Sequence, residues 1–362
     1  MSEIRYVILA ENVLDDEFHG KTTRGVLRYS HDEIVAVVDS TYAGKNVSDV
    51  MPGVGRSIPI VTSVRDALAF RPTSLLIGAA TVGGKLPKEF RSEVLTAIDA
   101  GMDVVNGLHE LLRDDAEIVA RAKRSGSRLR DVRDPEEPGR VFTGAAYDVP
   151  QFVVLAVGSD CAVGKMTVMC ELDRAASGGP LRSEFVATGQ TGIMIAGKGI
   201  AVDRVISDYI CGAGEQLVLG VDPATRVTLV EGQGSILHPA YAPVTFGLVF
   251  GTAPDALILC HRAGQAEITE FGTPIPSLRA LITLHEQILG YVKPARCIAI
   301  ALNTSHLSEQ EARREIEAVA NQTGLPTDDV VRFGGGNLWK VIASAAERGK
   351  TPKRTHVPVP AR

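Results

Sequence analysis

The strongest chemical signal in the sequence is a glycine-rich loop that follows the apolar run FVVLAV and precedes a helical pattern. In a phosphate-binding loop, glycines let successive backbone N–H groups converge on phosphate oxygens, a lysine adds positive charge, and the following helix contributes the dipole of its N-terminus. Strand, glycine loop and helix occur here in that order, so we predict a phosphate site with Lys165 as its cation. The loop residues are Gly158, Ser159, Asp160, Cys161, Ala162, Val163, Gly164, Lys165, Met166 and Thr167.

Two features separate this loop from the common G-x-x-x-x-G-K-[ST] pattern. Five residues instead of four lie between Gly158 and Gly164, as in the G-T-D-x-x-V-G-K-T loop of dethiobiotin synthetase and its relatives, which this loop resembles. The residue after Lys165 is Met166, where a hydroxyl normally binds Mg²⁺ beside the β and γ phosphates. A thioether cannot replace that hydroxyl, so either Thr167 takes over or the loop holds a phosphate without magnesium-assisted transfer.

Polar side chains follow two other predicted strands of the same half. Glu231 comes directly after VTLV and is followed by GQGS and His238, while Gln190 follows the strand in RSEFVATGQTG. Ligands of open α/β sheets bind at the carboxyl ends of the strands, so we expect Glu231 and Gln190 to face the crevice that contains Lys165. A carboxylate there could orient a metal, bind a substrate amine or act as a base, whereas a helix cap is the plainer interpretation of Glu231.

Asn303 ends another buried strand, CIAIALN. In the dethiobiotin synthetase arrangement an asparagine at a comparable place contacts the edge of the adenine. Asn303 is therefore a candidate contact to a nucleobase, and a turn-forming asparagine is the alternative.

Basic side chains at strand ends could bind an anionic group. Arg24 lies in HGKTTRG, Lys85 lies in GAATVGGKLP directly after an apolar run, and Arg262 ends the strand DALILCHR. Glycines at a strand end let a backbone come close to a ligand, and the basic residues supply positive charge. Simple turns with solvated basic residues are the alternative for the two first-half stretches.

The elements around these residues indicate two α/β domains. Short apolar runs alternate with helical patterns in both halves, which is typical of parallel sheets covered by helices on both faces. The stretch from Arg130 to Asp148 is rich in Pro, Gly and charge and is predicted to be an interdomain linker. We therefore predict two doubly wound parallel-sheet domains, a Rossmann-like domain over 1–145 and a P-loop NTPase-like domain over 146–362. Asp39 ends the second strand, but no G-x-G-x-x-G follows the first, so the phosphate cradle of a dinucleotide site is missing there.

The composition and charge of the chain argue against two classes of partner, nucleic acids and membranes. With Lys plus Arg at 38 and Asp plus Glu at 43, the net charge is −5, and no excess of positive charge exists to neutralise a nucleic acid. No apolar run reaches the ~18 residues of a membrane span, and the N-terminus lacks a signal peptide, so we expect a cytoplasmic protein without membrane partners. The cysteines are widely spaced, with no C-x-x-C pair for zinc. A homo-oligomer is expected only as the common state of intracellular enzymes.

Taken together, the motifs are similar to those of the DgcN-type D-glutamate N-acetyltransferase family, which was long described as a family of unknown function. The resemblance covers nearly the whole chain. Its most specific elements are GSDCAVGKMT (158–167), ATGQTGIMIAGKGIAVD (187–203) and VEGQGSILHPAY (230–241), supported by GAATVGGKLP (78–87). The resemblance implies transfer of acetyl from acetyl-CoA to the amino group of a D-amino acid, with D-glutamate as the expected substrate. CoA carries a pyrophosphate, a 3′-phosphate and an adenine, so the loop could hold it without a magnesium ligand; Met166 is then expected, and no metal site is predicted.

Acetyl transfer to an amine needs a neutral amine, a polarised thioester carbonyl and a proton acceptor. His238 is our first candidate base because imidazole titrates near neutrality, and Glu231 is the second, as a base or as the group that orients the amine. We predict direct attack of the amine on the thioester, with an acetylated Cys161 as the alternative. The candidate substrate contacts are Gln190, Gln233 and Ser235, together with Arg24, Lys85 and Arg262 for the carboxylates of the substrate.

Two other functions fit the same residues. An ATP-dependent kinase or ligase resembling dethiobiotin synthetase would use Thr167 and Glu231 to hold Mg²⁺. A non-catalytic sensor of nucleotides or CoA would use the loop for binding alone. Response to CoA, compared with response to ATP and magnesium, separates these functions.

Overall fold

A computed structural model of the chain describes residues 4–16, 19–134 and 139–350. These residues divide into two compact units. The first unit lies within Met1–Glu136 and also includes Gly189–Arg204, and the second lies within Glu137–Thr188 and Val205–Arg362. The sequence did not indicate that Gly189–Arg204 packs with the first unit.

The first unit contains a six-stranded sheet in which every neighbouring pair is parallel. Its strand order is β3-β2-β1-β4-β5-β6. The strands are β1 (Arg5–Leu9), β2 (Glu33–Val38), β3 (Ile60–Val61), β4 (Ser74–Ile77), β5 (Asp103–Asn106) and β6 (Leu129–Asp131). The helices between them are α1 (Lys21–Tyr29), α2 (Val47–Val50), α3 (Val64–Ala67), α4 (Lys88–Asp99) and α5 (Ala116–Ser125).

Burial explains why these segments form this sheet. Val7 and Leu9 of β1 and Leu75 and Ile77 of β4 are fully buried in one core together with residues of α4, as expected for strands that helices cover on both faces. Helix α5 is well delimited, because the Asp115 carboxylate accepts hydrogen bonds from two backbone N–H groups of its first turn.

The second unit contains a second six-stranded parallel sheet, with the order β12-β11-β10-β7-β9-β8. Its strands are β7 (Phe152–Gly158), β8 (Ser183–Val186), β9 (Val227–Val230), β10 (Ala256–Arg262), β11 (Arg296–Asn303) and β12 (Thr327–Asp328). Its helices are α6 (Lys165–Ala176), α8 (Ile210–Leu219), α9 (Ala242–Gly251), α10 (Leu278–Gly290), α11 (Glu309–Thr323) and α12 (Gly336–Arg348). Helix α7 (Gln190–Ala196) lies in the segment Gly189–Arg204, which belongs to the first unit.

The predicted fold class is confirmed, since both sheets are parallel and alternate with helices along the chain. The stretch predicted as a linker, residues 130–148, is more structured than expected where it is described. It begins within β6 and ends in a 3₁₀ helix, Ala145–Asp148. Further 3₁₀ helices are Leu68–Phe70, Val82–Gly84, Leu112–Asp114, Val202–Arg204 and Ser207–Tyr209. Within the described ranges, no helix is both long enough and apolar enough to cross a membrane.

Candidate phosphate-binding site

The predicted phosphate loop lies between β7 and α6, where the sequence placed it. Strand β7 ends at Gly158, and α6 begins at Lys165 directly after Gly164, which has a φ of 100°. This left-handed conformation favours glycine. A Cβ on Gly158 would lie 2.8 Å from Lys165 Nζ and 2.9 Å from the Asp160 carbonyl oxygen, so only glycine fits there without displacing the lysine.

Lys165 lies under the loop and not in solvent. Its side chain is 6% exposed, and Nζ donates a hydrogen bond of 2.8 Å to the Asp160 carbonyl oxygen. Burial lowers the pKa of Lys165, and the nearby groups of Cys161, Asp160 and Glu231 act against that effect. A Cβ on Gly232 would lie 1.8 Å from the Ala156 carbonyl oxygen and 3.1 Å from Lys165 Cδ. The glycine after Glu231 therefore gives room for the lysine stem.

The Asp160 side chain holds the loop in place. Oδ1 accepts from Cys161 N at 2.6 Å, while Oδ2 accepts from Gln265 Nε2 at 2.6 Å and from the N–H and hydroxyl of Thr269 at 2.8 and 2.9 Å. Burial by itself would raise the pKa of Asp160, but these hydrogen bonds outweigh it and hold the pKa below its usual value. Sequence reasoning missed Gln265 and Thr269, because no local pattern connects them with the loop.

Ser159 forms hydrogen bonds that connect the phosphate loop to β10 and to the loop after β9. Its hydroxyl lies 2.8 Å from His261 Nδ1, and its carbonyl oxygen accepts from the Ser235 hydroxyl at 3.1 Å. Burial lowers the pKa of His261 to about 4, so this ring is neutral at physiological pH. Ser235, predicted to contact substrate, thus has a bond within the protein.

His238 lies beside the loop with its ring packed among aromatic side chains. It is 4% exposed, and its ring centroid is 4.7 Å from that of Tyr241 and 5.1 Å from that of Phe271. Nδ1 accepts from Ala240 N at 3.2 Å, and Nε2 lies 3.9 Å from Asp160 Oδ1. His238 is therefore a neighbour of the loop, as the sequence suggested.

The side chains of Asp160, Cys161 and His238 each place a potential metal ligand within 4.8 Å of the other two. Carboxylate, thiolate and imidazole are ligands that zinc accepts. The N–H of Ala240 points at His238 Nδ1, however, so the proton of the neutral ring is on Nε2. A metal at Nε2 would need a lone pair on that atom, and this hydrogen-bond pattern does not favour a metal here.

Glu231 emerges at the end of β9, as predicted, and holds the end of the neighbouring strand. Its Oε2 accepts from Thr188 N at 2.8 Å, and the Thr188 hydroxyl donates to the Glu231 carbonyl oxygen at 3.0 Å. Gln233 Nε2 donates to the carbonyl oxygen of Thr188 and, at 3.2 Å, to its hydroxyl. The carboxylate of Glu231 and the amide of Gln233 thus fix residue 188, which directly precedes the segment that packs with the first unit.

Other predicted residues of the second unit lie in different surroundings. Met166 and Thr167 are half-buried in the first turn of α6, and Cys161 is half-buried in the loop. Asn303 Oδ1 accepts from Ser305 N at 3.1 Å, which is the turn geometry named as its alternative. Arg262 is exposed at the end of β10.

Three predicted substrate contacts lie in the first unit. Arg24 is half-buried on α1, and Lys85 is exposed. Gln190 Oε1 accepts a hydrogen bond from Arg133, which also forms an ion pair with Asp203. The sequence did not single out Arg133 or Asp203, which fasten both ends of Gly189–Arg204 within this unit. The expectation that Gln190 shares a crevice with Lys165 stays a prediction.

A parallel sheet with a glycine loop, a buried lysine and a helix after its first strand defines the second unit as a P-loop domain, and the other unit has Rossmann-like strand order. Two family models match these regions. Residues 140–339 match "Domain of unknown function (DUF1611_C) P-loop domain", and residues 40–135 match "Domain of unknown function (DUF1611_N) Rossmann-like domain". The chain belongs to the DUF1611 family.

Two relatives of the chain are named for an enzymatic activity. The chain is 36% identical over 299 residues to a D-glutamate N-acetyltransferase of Tritonibacter scottomollicae, covering 81% of this chain and 88% of that protein. It is 34% identical over 274 residues to a D-glutamate N-acetyltransferase of a Pseudoalteromonas species, covering 75% and 82%. A crystal structure of a DUF1611 family protein from Anabaena variabilis superposes with a TM-score of 0.89 at 40% identity, covering 94% of this chain and 99% of that one. The chain is accordingly an enzyme of the acyltransferase class, with an N-acetyltransferase role.

Proposed function

We propose that this enzyme transfers acetyl from acetyl-CoA to the amino group of a D-amino acid, with D-glutamate as the first substrate to test. The proposal that acetyl-CoA is the acetyl donor rests on one observation, which is the presence of Met166 in an otherwise complete phosphate loop. The loop offers a glycine turn, a buried lysine and the N-terminus of α6, which suit a phosphate group. It offers no hydroxyl directly after Lys165, which magnesium-assisted phosphoryl transfer requires.

The substrate class rests on the relatives, both of which are named for D-glutamate. A dicarboxylic amino acid has to pair with positive charge, and Arg24, Lys85 and Arg262 remain the candidates, since each is half-buried or exposed. Gln190, Gln233 and Ser235 have bonds within the protein, so any contact of theirs with substrate would add to those bonds or replace them.

The proton of the amine needs an acceptor, and both candidates are already hydrogen-bonded. Glu231 Oε2 accepts from Thr188 N, and His238 Nδ1 accepts from Ala240 N. The assignment of the base therefore stays a prediction for both residues. Direct attack on the thioester is the simplest route, because it needs only one acyl-transfer step.

The decisive experiment compares CoA with ATP on the same protein. Thermal shift is measured with CoA and with ATP, each with and without Mg²⁺, and release of free thiol from acetyl-CoA is then followed with D-glutamate, L-glutamate and other amines. We expect stabilisation by CoA that does not depend on magnesium, and thiol release with D-glutamate. Binding of a ligand to the native state raises the apparent stability by about 2.7 kcal/mol at a hundredfold excess over Kd.

A matched variant, Met166→Thr, sharpens the experiment. Restoring a hydroxyl after Lys165 should add a magnesium-dependent response to ATP and leave the response to CoA unchanged. If the wild-type enzyme responds to ATP with magnesium and not to CoA, the chain is a kinase or ligase. Binding of CoA without turnover of any amine would instead indicate a sensor.

A further inference from the structure

We propose that His238 donates a hydrogen bond from Nε2–H to a phosphate oxygen of bound CoA and is not the base of the reaction. This inference rests on the proposed acetyl-CoA-dependent function. It gives His238 a binding role at the anionic part of the co-substrate.

The position of the His238 ring proton follows from the hydrogen bond at Nδ1. A backbone N–H can only donate, and Ala240 N donates to His238 Nδ1 at 3.2 Å. Nδ1 therefore carries the lone pair, and the proton of the neutral ring is on Nε2. A general base needs a lone pair on the atom that faces the substrate, and Nε2 has none in this tautomer.

Nε2 lies on the side of the ring that is near the phosphate loop. The ring contacts those of Tyr241 and Phe271, and its Nε2 lies near the side chain of Asp160 in the loop. Asp160 Oδ1 lies 3.9 Å from Nε2, which is beyond hydrogen-bond distance. That oxygen already accepts from Cys161 N. Nε2–H of His238 therefore has no hydrogen-bond acceptor among the described residues, and this donor is available to a ligand at the loop.

The Nε2–H donor of His238 is placed to contact the phosphate end of CoA. Nε2 lies beside the side chains of Asp160 and Cys161, both of them in the phosphate loop. In CoA the pantetheine arm separates the thioester from the pyrophosphate and the 3′-phosphate. If the loop holds a phosphate, the neighbouring His238 lies at the phosphate end of the molecule. A neutral N–H that faces an anionic oxygen stabilises it without needing a proton transfer.

The experiment compares His238→Phe, which keeps a ring and loses the donor, with His238→Gln, which keeps an N–H donor and cannot act as a base at neutral pH. Calorimetric titration with CoA gives the affinities, and thiol release with D-glutamate gives kcat. We expect His238→Phe to bind CoA about 10- to 100-fold more weakly, as for the loss of a hydrogen bond to a charged group. We expect His238→Gln to bind within about 3-fold of wild type, and kcat of both variants to fall by less than the ~10²-fold typical of a lost base.

Titration with 3′-dephospho-CoA identifies the phosphate. If wild type still binds 3′-dephospho-CoA more tightly than His238→Phe by the same factor as for CoA, the donor contacts the pyrophosphate. If the two proteins bind 3′-dephospho-CoA equally, the donor contacts the 3′-phosphate. Nitrogen NMR of ¹⁵N-histidine-labelled wild-type enzyme reads the tautomer directly, and the spectrum of His238→Gln assigns the signal. We expect the Nε2–H form.

Other outcomes overturn the proposal. Equal CoA affinity of wild type and His238→Phe, or an Nδ1–H tautomer, removes the donor role and leaves the acetyltransferase function standing. Loss of kcat in His238→Gln with unchanged CoA affinity returns His238 to the role of base. If wild type itself fails to bind CoA, the proposed function fails first, and the donor role to CoA falls with it.

Discussion

The two sheets have similar first strands but very different loops after them. In the second unit, β7 leads into Gly158–Gly164, where backbone groups and a buried lysine surround an open turn. In the first unit, β1 lies between β2 and β4, which is where a Rossmann-like sheet would receive a nucleotide. The loops there contain carboxylates that accept hydrogen bonds from backbone N–H groups. Glu11 accepts from Ser40 N at 2.8 Å, and Asp39 accepts from Thr41 N at 2.9 Å.

This difference shows that strand order alone does not make a phosphate site. Both units have parallel strands with their carboxyl ends at one edge, and in both the helix after the first strand begins with a glycine and a lysine, Gly20 and Lys21 at α1 and Gly164 and Lys165 at α6. Lys21 is exposed, whereas Lys165 is buried. Asp39 is fully buried, and burial together with the charge of Glu11 raises the pKa of Asp39. At the ends of β1 and β2 an anionic ligand would meet the like charge of Glu11 and Asp39, whereas at the loop of the second unit it would meet the opposite charge of Lys165.

The largest expected effect follows from removing that opposite charge. Lys165→Ala should weaken CoA binding by about 100-fold, because a buried charge-assisted hydrogen bond to phosphate is worth ~1.5–3 kcal/mol. The matched change in the first unit is Lys45→Ala, which removes an exposed lysine near the end of β2. Calorimetric titration should show an unchanged affinity for this control. A larger loss in Lys45→Ala than in Lys165→Ala would mean that the first unit holds the phosphates.

A second pair of variants tests whether close packing behind the loop is specific to the second unit. A Cβ on Gly232 would lie 1.8 Å from the Ala156 carbonyl oxygen, and one on Gly78, at the end of β4, would lie 2.1 Å from Thr23 Oγ1. Both Gly→Ala changes should lower the free energy of unfolding by about 1–3 kcal/mol, as overpacking does. Only Gly232→Ala should also weaken CoA binding, because its Cβ would press on the stem of Lys165. Equal effects of both variants on affinity would contradict this separation.

The sequence predicted the phosphate loop well because all its parts are contiguous. A strand, two glycines, a lysine and a helix lie between residues 152 and 176, so local pattern is sufficient. The partners that hold the loop were missed for the opposite reason. Gln265 and Thr269 bond to Asp160 from more than a hundred positions away, and turn composition gives no sign of such a contact.

The segment Gly189–Arg204 could not be placed from local pattern either. It follows β8 in the chain, and alternation of strands and helices assigned it to the P-loop domain. Its position instead depends on Arg133, which bonds to Gln190 and Asp203. The stretch 130–148 was predicted to be a linker because of its prolines and charges, yet Glu215 accepts from Thr143 N at 2.8 Å and from Ala146 N at 3.2 Å. These contacts are tertiary, and composition does not encode them.

The smallest expected effect is on the pH dependence of the free energy of unfolding, and it concerns the carboxylates Asp39 and Asp160 at the two strand ends. The pKa of Asp39 is raised, chiefly by burial, so native protein binds this proton more tightly than unfolded protein does. Its contribution to stability is present below the unfolded pKa and is lost as pH rises through the folded pKa. The pKa of Asp160 is lowered because the hydrogen bonds of Thr269, Cys161 and Gln265 outweigh burial. Its contribution is present above the unfolded pKa and is lost as pH falls through the folded pKa.

Asp39→Asn and Asp160→Asn should therefore change the pH dependence of stability in opposite directions. Urea denaturation of the ligand-free enzyme between about pH 2.5 and pH 7.5 measures the difference from wild type in each case, because the lowered pKa of Asp160 places its change in stability at the acid end of this range. Relative to wild type, Asp39→Asn should become more stable as pH rises, and Asp160→Asn should become less stable. Slopes of the same sign would show that the two buried carboxylates have similar electrostatic surroundings, and the contrast between the two strand ends would then rest on the glycines and Lys165 alone.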